Sequence, residues 1–440
     1  MEDPSQLLQS GSERQAQVLT EMAGLGVDTV RSQVQWRDVA GDRPGRYPPE
    51  RFDALDDLVR GAQARGMKVL LVPTSPIPRW ASGCHGAAAK ANGCKPDPSA
   101  FAAFVRLVGK RYSGRFHDED QGGGVLPRVD RWGLWNEPNL ATYLQPQFSP
   151  AGVDVGAAMY RDLAQRAIAA LRGTGHGSDT ILLGETAPVG RTTGPPATRN
   201  APPVTFLRAL FHTRGPRLGV SGFAHHPYTQ GAHSTPYAPT SPGQISFTTI
   251  GRLKRLLKQG ARAGVIRAHL PIWYTEFGYQ SDPPDPILGV SLSAQAEYLN
   301  LADFLAARDP RIASVSQYKL VDPNDRDSFE TGLRRFGTLA QKPAYAAYRL
   351  PLWVQRRGAK IRAYGQLRPA PARSRQTVVL QRSAAPGEPF TDVDTFRVRT
   401  RTEQFLHVVP YAVGVWRLKW LPPGSEDPIY SRVAVAHAKP

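Results

Sequence analysis

The sequence predicts an α/β chain: a (β/α)8 (TIM) barrel whose first strand is absent from the chain as given, followed by a small C-terminal β-sandwich. Three observations carry this. Short β-branched or apolar runs alternate with helical patterns from Ser12 to Val354, which calls for parallel strands joined by crossover helices. The alternation opens on a helix and yields seven strands against eight helices, one strand short of a closed ring. Beyond Val354 the pattern becomes short strands separated by Gly, Pro, Ser and Asp clusters, the signature of a sandwich.

Taken in order, the strands fall at Val27–Trp36, Lys68–Thr74, Val129–Glu137, Thr180–Thr186, Val220–Tyr228, His269–Phe277 and Ile312–Val321, occupying barrel positions two to eight. Helical periodicity fills the intervals, from Ser12–Leu25 through Pro98–Tyr112 and Gly152–Arg172 to Ala344–Val354. In a closed barrel every strand pairs on both sides, so the missing strand is expected upstream of Met1. An open doubly wound sheet is the competing reading. It is disfavoured because no glycine-rich phosphate fingerprint follows an early strand. The expected division is residues 1–354 for the barrel and 355–440 for the sandwich, with Gln355–Ala359 as the linker.

Composition narrows the class. At 440 residues, with 41% hydrophobic and 21% charged residues, the chain is long enough for a large core and unlike a disordered or disulfide-dense protein. No apolar run reaches the length of a membrane-spanning helix, and the polar opening Met1–Gln15 lacks the pattern of a secretion signal. The net charge of +18 is uneven, since Pro351–Pro440 holds fifteen Lys and Arg against six Asp and Glu. Such a module fits an acidic polysaccharide, an anionic envelope surface or simply a solvated arginine-rich face. Neither a zinc-finger spacing nor a basic helix with interleaved aromatics is present, so nucleic acid is not an expected partner.

Cys84 and Cys94 share one short loop. A bridge there is worth roughly 3 kcal/mol on loop entropy and points outside the cytosol. Free thiols are the alternative. A zinc site is not expected, because only His85 stands nearby as a third ligand.

Reacting groups of a βα barrel sit at the C-terminal strand ends. Strand four runs Arg131-Trp-Gly-Leu-Trp-Asn-Glu-Pro138 and strand seven Pro271-Ile-Trp-Tyr-Thr-Glu-Phe-Gly278, each an apolar strand ending in one glutamate. A charge there is expensive unless it has partners and a purpose. Two such carboxyls are what glycoside cleavage needs, one to protonate the departing oxygen and one to attack the anomeric carbon or activate water. Spacing alone does not assign the roles.

Trp-Asn-Glu-Pro at strand four, in register with Tyr-Thr-Glu-Phe-Gly at strand seven, resembles clan A glycoside hydrolases over roughly Val27–Val354, most closely family 39 and next family 5. The resemblance implies that Glu137 is the acid/base and Glu276 the nucleophile of a retaining mechanism. It further implies that Asn136 binds the sugar 2-hydroxyl, that Arg31 keeps the nucleophile ionised, and that His226 and Tyr228 line the catalytic subsite.

Residue pattern adds the rest. Tyr274, two residues before Glu276, is expected on the same face of its strand and so in the same pocket. Glu185 ends strand five as a substrate contact or a structural acid. Trp36, Trp80 and Trp135 fall at strand ends as sugar platforms or as packing. Arg79 and Lys319 add positive charge near the mouth, for an acidic sugar or a structural ion pair. His225 and His226 are adjacent and point to opposite faces, so no metal is expected, and no cofactor is implied because both carboxyls come from the protein. Trp416 and Trp420 share a strand face in the sandwich, as a stacking surface or as its core. Strand eight departs from the clan pattern, reading Ser-Val-Ser-Gln-Tyr-Lys-Leu where a tryptophan is usual.

The expected function is therefore a retaining, extracellular or envelope glycosidase acting on a polysaccharide or oligosaccharide. A non-catalytic carbohydrate-binding protein that keeps the cleft is the alternative.

Overall fold

The computed structural model describes residues 1–86, 88, 91–119, 124–195, 198–229, 235–324, 329–371, 373–399 and 402–438. Seven parallel strands follow one another round a single sheet: Thr29–Gln35, Lys68–Thr74, Arg131–Gly133, Thr180–Thr186, Gly222–His225, Ile272–Phe277 and Ile312–Gln317. Each pairs only with its sequence neighbours, as right-handed helical crossovers require. Local chemistry starts the helices. Asp97 accepts from the Ala100 N–H at 2.7 Å ahead of the helix Pro98–Arg111, whose Pro98 has no N–H to leave unpaired. Ser291 caps Leu292–Ala307 in the same way.

The gap in the ring is closed at its catalytic end by the first residues of the chain. The Glu2 N–H donates to Gln317 O at 3.1 Å and the Lys319 N–H to Glu2 O at 2.7 Å, while the Arg31 N–H donates to Met1 O at 2.9 Å. Asp3 accepts from the Leu320 and Val321 N–H groups, both at 3.0 Å. Met1–Asp3 thus fills only the catalytic end of the first strand's place, by a single bridge from Glu2 to Tyr318, and among the described residues no strand forms there, as expected. Toward the other end the two flanking strands separate, and a cavity of about 960 Å³ lies between Val27–Thr29 and Ile312–Ser316.

The barrel interior is lined by Leu70, Val72, Leu182 and Ala224 with Trp273 against them. Alternate residues of the same strands face outward into a large core shared with the helices, which contains Val30, Leu71, Leu183 and Phe223.

The final barrel helix ends at Arg349, short of the expected Val354, because Pro351 cannot continue it. The chain passes directly into the strand Leu352–Arg357, which pairs with Lys360–Gln366 as a hairpin. Gln355–Ala359, expected as a linker, is the end of that strand and its turn. A second sheet, built on Gln376–Ser383, Thr391–Val398 and Val415–Trp420, packs on the first around Leu352, Val354, Ile361, Leu380 and Leu418. Trp416 and Trp420 belong to this core and are buried, and Trp420 Nε1–H donates to Gln376 Oε1 at 3.1 Å. Trp353 and Tyr364 pack on Leu301 and Phe304 of the last long barrel helix, seating the sandwich on the barrel.

Cys84 and Cys94 are bonded, with their Cα atoms 6.0 Å apart.

Candidate active site

The strand ends converge on one guanidinium. Arg31 is fully buried and spends every N–H on the site. Nε donates to Glu185 Oε1 at 3.4 Å and Nη2 to Glu185 Oε2 at 2.5 Å and to Asn136 Oδ1 at 2.7 Å. Nη1 donates to Glu276 Oε1 at 2.7 Å and also to Glu2 Oε2. Room for the Glu185 arm depends on Gly133, where a Cβ would stand 2.8 Å from Glu185 Oε1 and 2.9 Å from Val72. Trp135, Glu137 and Glu185 all have positive φ, 72°, 40° and 54°. Such backbone is costly for residues with side chains, and it clusters at the ends of the strands that carry the acids.

His226 joins the two glutamates. Its Nδ1 lies 2.9 Å from Glu137 Oε1 and 3.6 Å from Glu276 Oε2, and its Nε2 lies 3.1 Å from Thr275 Oγ1. Tyr228 OH donates to Glu276 Oε2 at 3.2 Å. One carboxyl oxygen of Glu137, one of Glu276 and a ring nitrogen of His226 lie within 4.8 Å of one another. These three are the described residues best placed to hold a cation, yet Arg31 and Tyr228 already engage both oxygens of Glu276. His225 turns to the opposite face, onto Thr186 Oγ1 at 2.9 Å and Ile245 O at 3.0 Å, and burial pushes it down to about 3. The two histidines do not share a site.

The surroundings split the two acids. Burial raises the Glu137 carboxyl, against the lowering effect of His226, and leaves it above the usual range. Burial acts on Glu276 in the same sense, but His226 and then Arg31 outweigh it and hold Glu276 below the usual range. His226 is disfavoured as a cation by burial and favoured more by Glu276 and Glu137, so it titrates above a free histidine. A protonated acid facing an ionised one is the division of labour that acid/base and nucleophilic chemistry require.

The structure brings Arg31, Asn136, Glu137, Glu185, His226, Tyr228 and Glu276 together, and it leaves others elsewhere. Tyr274 points outward, 4.8 Å from the Phe247 ring, because the pairing register shifts between Tyr274 and Phe277 and breaks the alternation that would have put it beside Glu276. Thr275 takes the inward place. Trp36 is closed off in the core, stacked on Phe104 at 5.3 Å with its N–H on Tyr47 OH. Trp135 is equally buried, against Phe101 at 5.1 Å, with its N–H on Tyr143 O. Both are packing residues. Trp80 is half-buried, edge-on to Trp36, and donates to Gly41 O at 3.1 Å. Arg79 is exposed, whereas Lys319 is buried to 7% exposure near Asp3, Glu330 and Asp322.

Sequence reasoning missed Glu2, Thr275 and the aromatic wall. Tyr143 and Tyr318 are half-buried phenols raised first by burial and then by the site's carboxylates. Tyr318 directly follows the strand Ile312–Gln317, at the place where the resemblance leads to a tryptophan. Phe329, 44% exposed, packs 5.6 Å from Tyr228 and 6.1 Å from Tyr318. The strand-eight departure was the available signal for Tyr318; nothing in the pattern pointed to Glu2.

Solved structures share the fold. A family 39 glycoside hydrolase from Bacteroides cellulosilyticus WH2 aligns at TM-score 0.54 and 17% identity, over 90% of this chain and 78% of that one. The GH39 enzyme from Xanthomonas axonopodis pv. citri aligns at 0.52 and 15%, over 94% and 91%. GH5_18 from Streptomyces cattleya, solved in complex with GlcNAc, aligns at 0.52 and 17%, over 79% and 77%. No curated protein matches the chain. The cellulase family, glycosyl hydrolase family 5, matches residues 5–282, more than half of the sequence. Family 39, the nearest resemblance of the motifs, is thus met among structural neighbours and family 5 in the sequence itself. With two strand-end glutamates on a (β/α)8 barrel and this match, the chain belongs to glycosyl hydrolase family 5 and is a glycosidase.

Proposed function

We propose that the protein cleaves O-glycosidic bonds of a polysaccharide or oligosaccharide with retention, by double displacement, with Glu276 as nucleophile and Glu137 as acid/base. The observation that carries this is the approach of Glu137 and Glu276 oxygens within 4.8 Å. Retaining enzymes keep their carboxyls roughly 5 Å apart, whereas inverting ones leave room for a water between them.

In the first step Glu276 bonds to the anomeric carbon as the bond to the leaving oxygen breaks, and that oxygen takes the proton of Glu137. In the second, Glu137 as carboxylate takes a proton from water, whose oxygen bonds the anomeric carbon and releases Glu276. Arg31 and Tyr228 donate to Glu276 and stabilise its charge as it leaves. Asn136, with its Oδ1 held by Arg31, is oriented toward the sugar 2-hydroxyl. The bridge between Cys84 and Cys94 supports an extracellular or envelope location, and among the described residues no helix is long and apolar enough to cross a membrane. Exposed Arg79 is the remaining basic candidate for reading an acidic sugar, since Lys319 is engaged below the surface.

The test is intact-protein mass after incubation with 2-deoxy-2-fluoro glycosides of several sugars, followed by peptide mapping. A stable adduct on Glu276 is expected. An adduct on Glu137 or Glu185 reverses the assignment, and an inverted anomer in the product by NMR overturns retention.

A further inference from the structure

Glu2 lies at the end of the barrel position between the second and eighth strands, 1% exposed, and its carboxyl shares one Arg31 nitrogen with the nucleophile. Its other oxygen, Oε1, is buried without a hydrogen-bond partner. Arg31 brings one positive charge to three buried carboxyls, those of Glu2, Glu185 and Glu276. Desolvation makes an uncompensated buried anion costly, so one of the three is better kept neutral. Glu185 has a two-pronged hold on Arg31, and Glu276 has His226 and Tyr228 besides. Among the described residues, Glu2 is the one of the three held by a single carboxyl oxygen.

We propose that Glu2 is a positioning residue of the reaction: as a neutral acid it leaves the Arg31 Nη1 edge to Glu276, and on losing its proton it draws that edge away and weakens the nucleophile's support. The inference rests on the reading of Glu276 as nucleophile. Burial raises Glu2, Arg31 lowers it, and Glu276 and Glu185 raise it again, pushing it up to about 7. The Met1 amine and the phenols of Tyr143, Tyr228 and Tyr318 also face it. Activity that needs neutral Glu2 is therefore full below about pH 7 and falls above it.

The experiment isolates this ionisation from that of Glu137. A 2,4-dinitrophenyl 2-deoxy-2-fluoroglycoside has a leaving group that departs without protonation, so its covalent labelling of Glu276 does not need the Glu137 proton. The expected result with the unaltered protein is a labelling rate falling about tenfold per pH unit above neutrality, as titration of one group requires. Glu2→Gln, which keeps the shape and cannot ionise, is expected to remove that fall, so that its own labelling rates at pH 6 and pH 9 agree within about twofold. A labelling rate flat from pH 6 to 9, or an unchanged fall in Glu2→Gln, overturns the role of Glu2 while leaving the nucleophile assignment intact. Failure to label Glu276 with glucose, mannose, galactose and xylose probes overturns the underlying reading instead. A purely structural Glu2 would lower the melting temperature of Glu2→Gln without moving the pH dependence.

Discussion

His226 Nδ1 stands 2.9 Å from Glu137 Oε1 and 3.6 Å from Glu276 Oε2, so one imidazole serves both carboxyls. Because the ring favours the ionised form of each acid, its removal raises both. The nucleophile must be ionised, and its depressed titration places the acid limb of kcat/KM below the usual glutamate range. His226→Gln is expected to move that limb to higher pH, measured as the kcat/KM profile on an aryl glycoside. An unmoved acid limb contradicts the electrostatic role.

Removal of either carboxyl separates the two roles. Glu276→Gln is expected to cost at least about a thousandfold in kcat, or ~4 kcal/mol of barrier, on every substrate. In kcat/KM, which reads the first step, Glu137→Gln is expected to lose about 10²–10⁴-fold on substrates whose leaving group needs a proton and far less on a dinitrophenyl glycoside. Equal losses on both substrates would show that Glu137 is not the acid.

Tyr228→Phe deletes a hydrogen bond to a charged oxygen at 3.2 Å. Such bonds are worth about 1.5–3 kcal/mol, so kcat is expected to fall about ten- to hundredfold with little change in KM. A rise in KM at constant kcat would make Tyr228 a substrate contact rather than a support for Glu276.

Trp36 and Trp135 are expected to matter for stability and not for binding. Trp36→Ala empties a site packed by Phe101, Phe104 and Trp80 and is expected to cost about 3–5 kcal/mol in denaturant unfolding. Phe329→Ala, at an exposed ring beside Tyr228, is expected to leave stability within about 0.5 kcal/mol and to weaken substrate binding. A Trp36→Ala protein of full stability and raised KM would return that residue to the site.

Replacing both Cys84 and Cys94 by Ser opens a bridge with a sequence separation of 10. Loop entropy predicts a loss of roughly 3 kcal/mol, read from denaturant midpoints with and without reductant.

The alternation of apolar runs with helical periods from Ser12 to Val354 was enough for the barrel, because a parallel strand must be followed by a crossover that packs on its sheet. Glu137 and Glu276 were legible for a related reason. A lone acid closing an apolar strand contradicts its surroundings, and that contradiction is visible in one dimension. Arg31, His226 and Tyr228 followed from the resemblance: Arg31 lies within the strand Thr29–Gln35, and His226 and Tyr228 just past the strand Gly222–His225.

Tertiary structure decided what depends on partners distant in sequence. Strict alternation would place Tyr274 beside Glu276, but a register shift in one ladder turned it outward and Thr275 inward, and no local pattern records which neighbour will slip. Tryptophans at strand ends have the same sequence signature whether they stack on sugar or on Phe101 and Phe104. Glu2 carries no motif at all. It became part of the site because Met1–Asp3 pairs between Thr29–Gln35 and the strand ending at Gln317, bringing its carboxyl to Arg31. Residue type and period specify which strands form and which ends are charged; the sharing of one guanidinium among Glu2, Glu185 and Glu276 exists only once the ring closes, because Coulomb and hydrogen-bond terms act over ångströms of space and not along the chain.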